Sequence, residues 1–257
     1  MEFKTVDIFA GGGGLSLGFA NAGFKIAAAY DVWEPAVNLY KANFNGHPIF
    51  QTDVSNGKIT DHVKRFKPEI IIGGPPCQDF SSAGKRDETL GRANLTITFA
   101  RLVRDVLPPY FVMENVPRAL KSRAFAAAKK IFHESGYGLT IKVLDASLCG
   151  VPQRRKRLFA VGELGGGDDF LKNALDGRLS KKRMTLRDYF GQKLGFEYYY
   201  RHPRSYLRRA VFGIDEPSPT VRGVNRPIPK GYPGHPGDAR RMDKNIRPLT
   251  TKERSLI

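Results

Sequence analysis

The chain is poor in the residues that support several common readings. It has only two cysteines in 257 residues, Cys77 and Cys149, which do not suggest a disulfide framework. No Cys/His cluster stands at ligand spacing, so no metal site is expected. No apolar run approaches about 18 residues and the N-terminus shows no signal-peptide pattern, so a soluble protein that stays in the cytoplasm is expected. Acid is scarce too: 25 Asp and Glu stand against 42 Lys and Arg, a formal charge of +17. Residues 1–163 carry 22 basic against 15 acidic side chains, and residues 164–257 carry 20 against 10. Such an excess favours a polyanionic partner bound in a salt-dependent way, with a merely soluble basic surface as the alternative.

What is present is a regular alternation. Short apolar stretches at 6–9, 26–30, 48–51, 70–72, 110–113, 140–144 and 158–161 read as strands. Helical stretches at 15–22, 34–44, 94–106 and 119–134 fall between them. The pattern predicts an α/β fold, a doubly wound and mostly parallel sheet, over residues 1–163. Beyond residue 164 periodicity is poor and Pro, Gly, Arg and Tyr dominate, as in a smaller, loop-rich recognition region.

Two loops carry the chemistry. Cys77 follows Ile70-Ile71-Ile72-Gly73-Gly74-Pro75-Pro76, which presents a thiol on a stiff loop at the carboxyl end of a strand. A lone Cys is more often a small buried hydrophobe, but such a residue rarely needs Gly-Gly-Pro-Pro before it and Gln-Asp-Phe-Ser after it. Cys149 has no comparable setting and reads as structural. The second loop is Ala10-Gly11-Gly12-Gly13-Gly14. Ser16 or Leu17 stands where the third glycine of a dinucleotide fingerprint belongs, and no Lys-Ser/Thr follows Gly18, so neither that fingerprint nor a P-loop is present. The turn still allows close backbone approach. Asp31 suits ribose hydroxyls, Asp53 an adenine amine and Phe9 a purine face, although each acid also reads as a helix cap or turn residue. An adenosyl group without pyrophosphate suggests S-adenosylmethionine.

In this order the residues resemble the cytosine-C5 DNA methyltransferases. Asp7-Ile8-Phe9-Ala10-Gly11-Gly12-Gly13-Gly14 resembles the family's first motif, Asp31 the second, Asp53 the third and Pro75-Pro76-Cys77-Gln78 the catalytic one. Asn94-Leu95 resembles the fifth, Glu114-Asn115-Val116 the sixth, Gln153-Arg154-Arg155-Lys156-Arg157 the Q-x-R-x-R motif, and residues 247–253 the start of the ninth. The resemblance implies a Rossmann-like methyltransferase of restriction–modification type, with double-stranded DNA as partner. Its implied catalytic residues are Cys77, Glu114, Arg155 and Arg157, with Gln153, Arg155 and Arg157 sharing one strand face. Its implied cofactor contacts are Asp7, Phe9, Gly11, Gly13, Gly14, Asp31, Val32, Asp53, Val54, Pro75, Asn94 and Leu95. DNA contacts are expected from Gln78, Ser81, Ser82 and Gln153. The stretch Tyr198–Arg209, which reads either as a groove-edge surface or as a packed tyrosine hairpin, would add Arg201, Arg204, Tyr206, Arg208 and Arg209, with Arg222 beyond it. Residues 81–92 are expected to close over a flipped base.

The family's tenth motif, of Gly-Asn-Ser type, has no counterpart here. Three explanations stand open: a split enzyme whose second polypeptide supplies the missing helix, a truncated gene product and a fragment. The expectation is a chain that by itself binds S-adenosylmethionine weakly and methylates poorly. A DNA-binding remnant without turnover and a tRNA cytosine methyltransferase are the competing readings.

Overall fold

The computed structural model describes residues 3–55, 57, 59–76, 94–205, 207–223 and 225–257. In chain order its first elements are β1 (Lys4–Ile8), α1 (Gly14–Asn21), β2 (Lys25–Asp31), α2 (Glu34–Asn43), β3 (Ile49–Gln51), α3 (Ile59–Arg65) and β4 (Ile70–Gly73). There follow α4 (Asn94–Val106), β5 (Tyr110–Asn115), α5 (Arg123–Glu134), β6 (Tyr137–Asp145), β7 (Gln153–Arg154) and β8 (Lys156–Leu164). The remainder holds α6 (Lys172–Arg178), α7 (Leu186–Phe190), β9 (Tyr198–Tyr200), β10 (Val211–Gly213), β11 (Ser218–Pro219) and α8 (Thr251–Leu256).

Two compact units form. The first takes in the chain up to Val143 together with Arg157–Leu175; the second takes in Leu144–Lys156 and Asp176–Ile257. The main sheet has seven strands in the order β3-β2-β1-β4-β5-β8-β6. Neighbours from β3 to β5 run parallel, and β8 lies antiparallel to β5. The α/β, mostly parallel architecture expected from the alternation is therefore the one observed. Strands this apolar need cover on both faces, and β4 is buried at all four positions. The core includes Phe99 from α4, Phe111 from β5 and Phe132 from α5, with the Phe111 and Phe132 rings stacked 4.1 Å apart.

The chain winds outward from β1 to β2 and β3, then returns to β4 on the other side of β1. That reversal leaves a crevice at the carboxyl ends of β1 and β4, where open α/β sheets hold ligands. Three local expectations change. The helix α3 was not foreseen. The predicted helix over 119–134 begins only at Arg123, because Pro117–Lys121 forms a 3-10 turn and the Ser122 hydroxyl caps α5 by accepting from Phe125 N–H at 3.0 Å. Residues 153–157 do not make one strand, since Arg155 interrupts it. Its N–H turns back to Gln153 O and the Gln153 N–H to Val151 O, which coils the backbone out of the pleat.

The second unit has its own apolar clusters, one around Leu186, Tyr199, Phe212 and Leu249 and another around Tyr200, Val211 and Ile246. Its Tyr-rich segment is an antiparallel hairpin, β9 against β10, with Tyr199 and Tyr200 buried. Among the described residues no helix is long and apolar enough to cross a membrane.

Candidate active site

The glycine turn closes on the end of β2. Asp31 accepts hydrogen bonds from Gly11 N–H and Trp33 N–H, both at 2.8 Å and one on each carboxylate oxygen, so it joins the turn to the start of α2. Gly13 has φ +90°, and a Cβ there would stand 2.3 Å from the Phe44 ring. Only glycine fits both the left-handed backbone and the ring. Phe9, at φ +62°, is a rare left-handed non-glycine residue half-buried against the core. Beside Asp31 the apolar Val32 and Trp33 are 58% and 66% exposed. A backbone open to close approach, a carboxylate with lone pairs to spare and an exposed apolar pair suit a ligand with a flat ring and vicinal hydroxyls. Asp53, past the end of β3, is exposed, and its Oδ1 accepts from both the N–H and the hydroxyl of Ser55. Those bonds hold its carboxyl below the usual range. Two expected contacts are placed otherwise. Val54 is buried in the hydrophobic core, as its apolar side chain favours. Asp7 is fully buried beneath the turn, where its Oδ2 accepts from Ser16 Oγ at 2.6 Å.

The second loop is built on β4 and β5. Glu114, near the end of β5, forms an ion pair with Arg157 of β8, Oε1 to Nε 2.8 Å, with both side chains about three-quarters buried. The antiparallel register of β5 on β8 brings the pair together. A Cβ at Gly74 would lie 3.4 Å from Glu114 Oε2, so the loop passes close over this carboxylate. Asn115 donates from Nδ2 to Pro75 O at 3.4 Å and accepts from Val116 N–H at 2.8 Å through Oδ1. The Glu-Asn-Val run thus aims a carboxylate and also pins the Pro-Pro loop; an Asn at the end of a mostly apolar strand is the sequence signal for the second role. Cys77, Gln78, Ser81, Ser82 and the segment 81–92 lie outside the described residues, as do Tyr206 and the Asn94 side chain. Leu95 opens α4 half-buried, and Pro75 is buried. Arg155 belongs to the second unit, where its carbonyl accepts from Ala146 N–H. With the strand interrupted at this residue, the expected common face of Gln153, Arg155 and Arg157 is not supplied by the pleat. Cys149, read as structural, is exposed.

In the second unit the arginines divide into two kinds. Arg209 gives both terminal nitrogens to Glu216 and lies 4.3 Å over the Phe212 ring, so the DNA contact expected of it is replaced by an internal one. Glu216 also faces Arg154. Arg201 and Arg222 donate to the carbonyls of Thr220 and His202. Burial, and then the neighbouring charges of Arg222 and Arg204, bring Arg201 down to about 10; Arg222 is lowered by burial and by Arg204 and Arg226. Like charges crowded in this way favour an anion among them. Arg204 and Arg208 are exposed, as is Leu207 between them. Gln153 pairs with Ser218, β7 running parallel to β11.

Comparison with known proteins gives the family and the fold. The family described as C-5 cytosine-specific DNA methylase matches residues 3–257. Type II methyltransferase M.HgiDI of Herpetosiphon aurantiacus is 56% identical over 99% of this chain and 82% of its own length. Type II methyltransferase M.HindV of Haemophilus influenzae is 54% identical over 99% of this chain and 84% of its own. Among solved structures, a putative DNA modification methyltransferase encoded within an E. coli prophage superposes with a TM-score of 0.60 at 28% identity, over 79% of this chain and 56% of that one. The S. pombe Dnmt2 methyltransferase superposes with a TM-score of 0.61 at 21% identity, over 74% of this chain and 60% of that one, which shows the shared fold.

Proposed function

The chain belongs to the C-5 cytosine-specific DNA methylase family and is a DNA cytosine-5-methyltransferase using S-adenosylmethionine; from this premise we propose that it methylates a flipped cytosine through a covalent bond from Cys77. The Glu114–Arg157 pair, held under the loop that leads into Cys77, is the observation that carries the reading. Cytosine C5 is a weak nucleophile. Attack of the Cys77 thiolate on C6 breaks the ring's conjugation and makes C5 enamine-like. Glu114 would meet N3 and the exocyclic amine, stabilising the charge that grows on the ring, while Arg157 fixes the carboxylate's position. Bound at the glycine turn, S-adenosylmethionine supplies an electrophilic methyl group. C5 would take that methyl, leaving S-adenosylhomocysteine, and would then give its proton to water; the electrons of that C–H bond re-form the C5–C6 double bond and expel the Cys77 thiolate. An ordinary thiol has a pKa of about 8.5, so Cys77 gains from any cation that favours its thiolate.

A base stacked in a duplex cannot be reached on the face that Cys77 must attack, hence the flipped geometry. The fit of the cofactor rests on Gly11, Asp31, Val32 and Trp33, which together offer ribose acceptors and a ring surface. DNA recognition is assigned to the C-terminal part, expected over 164–257. Arg201, Arg204 and Arg222 of the second unit are the phosphate-facing residues in this reading.

The test is trapping. With S-adenosylmethionine and a library of duplexes carrying 5-fluorocytosine, whose C5 cannot lose a proton, the wild-type chain, alone or together with a polypeptide that supplies the tenth motif, gives a covalent adduct and Cys77→Ser gives none. Ordinary DNA treated in parallel acquires 5-methylcytosine. Adduct formation by Cys77→Ser, or methylation without any trappable adduct, overturns the mechanism.

A further inference from the structure

The first unit contains a line of hydrogen bonds that the methyl-transfer chemistry does not use. Asp7 has no accessible surface, and its sheet partners Ala29 and Ile72 are apolar. Its Oδ1 is buried with no hydrogen-bond partner among the described residues, while Oδ2 accepts from Ser16 Oγ at 2.6 Å. Ser16 Oγ in turn accepts from the Tyr40 hydroxyl at 2.8 Å, and that hydroxyl stands 2.6 Å from His47 Nε2. His47 is half-buried, so the line runs from inside the sheet to the surface.

Each hydroxyl has one proton to give, so the line has two self-consistent polarities. With Asp7 ionised, His47 Nε2–H donates to Tyr40, Tyr40 to Ser16 and Ser16 to Asp7. With Asp7 protonated all three bonds reverse and a neutral His47 accepts. The two states share the same heavy-atom positions, so a proton can move along the line without any rearrangement of the fold.

Its place gives the line a use. Asp7 lies below the glycine turn, Ser16 is in the first turn of α1 that follows it, and Asp31 holds Gly11 from the side. We propose that Asp7 is a buried counter-charge for the sulfonium of the cofactor, and that Ser16, Tyr40 and His47 carry its proton to solvent when the cofactor binds. The proposal rests on reading the glycine turn as the cofactor's seat.

The electrostatics run in the required direction. Burial pushes the Asp7 carboxyl up to about 7, against the Ser16 bonds that hold it down, and the Asp31 charge adds to the rise. The ionisable groups bearing on it are Asp31 of β2, Tyr40 of α2 and His47 beyond it; β4 contributes only Ile72. A cation arriving nearby favours the carboxylate and lowers its pKa. The Asp7 proton then passes to Ser16 Oγ as the Ser16 proton passes to Tyr40 and the Tyr40 proton to His47 Nε2. The imidazolium gives one proton to water. Partial burial holds His47 below its ordinary pKa, so it starts neutral and sheds the proton readily.

Titration calorimetry in phosphate and in Tris separates proton release from binding. Near neutral pH the wild-type chain should release a fraction of a proton on binding S-adenosylmethionine, because burial keeps Asp7 partly protonated there. It should release less with S-adenosylhomocysteine, which has no sulfonium. In Asp7→Asn the difference between the two ligands should vanish. In Ser16→Ala, which removes the bond that holds the carboxyl down, the pH of greatest release should move upward. Equal release in wild type and Asp7→Asn, or an unmoved profile in Ser16→Ala, overturns the counter-charge; the second variant decides if the first does not fold. If neither ligand binds the wild type at any pH, the seat itself is misplaced and the proposal falls with it.

Discussion

Glu114 and Arg157 show how much one ion pair is asked to do. Both side chains are mostly out of water, and each would be costly to bury without the other. Glu114→Gln keeps the shape but loses the charge that must meet the ring. Single-turnover methylation should slow by about a hundredfold or more, with cofactor affinity from calorimetry unchanged. A normal rate would remove Glu114 from the chemistry. This residue was legible in the sequence because a carboxylate directly after Phe111-Val112-Met113 needs a partner. The identity of that partner was only half legible. The basic run offered four arginines and lysines in a row, and strand periodicity alone put Arg155 and Arg157 together. The structure pairs Arg157 with Glu114, and the backbone turn at Arg155 breaks the simple alternation that periodicity assumed.

The glycine turn is a property of an element junction rather than of any one side chain. It joins β1 to α1 under constraints from two neighbours: Asp31 at the end of β2 ties down Gly11, and Phe44 at the end of α2 fills the space a side chain at Gly13 would need. Gly13→Ala should destabilise the chain by about 2 kcal/mol, combining a left-handed backbone with a clash. Denaturant unfolding measures this, and Phe44→Leu in the same chain should recover part of the loss. Additive losses would mean that the ring and the turn are not coupled. The sequence showed that a tight turn lay here, since four glycines in a row have few other uses. It did not show what presses on it, because Phe44 comes from the far end of a helix and reaches the turn only through the packing of α2.

For the molecule as a whole the dominant quantity is charge. A formal +17 makes association with a polyanion strongly salt-dependent, whatever the detailed contacts. What the count cannot do is say which arginines face the polyanion. Arg204→Ala should lower the slope of log affinity against log salt by about one, read by fluorescence anisotropy on duplex DNA between low and moderate salt. Arg209→Ala should leave the slope alone and lower the melting temperature instead, because Arg209 is held by Glu216 and Phe212. The reverse pattern would exchange the two assignments. In the linear sequence these arginines are equivalent members of one basic stretch, and only the fold of β9 and β10 separates them.

By itself the sequence determined the alternation of strands and helices, the two loops at strand ends, and the residue types that cytosine-C5 methyl transfer requires. Those are local properties: apolar period, turn chemistry and the reactivity of a side chain are written in neighbouring residues. The tertiary structure decided the rest. It chose Arg157 as the partner of Glu114, set Asn115 to pin the Pro-Pro loop, buried Asp7 at the end of a hydrogen-bonded line, and turned Arg209 inward. Each of these joins residues far apart in the chain, and depends on strand register and helix packing that no short stretch specifies.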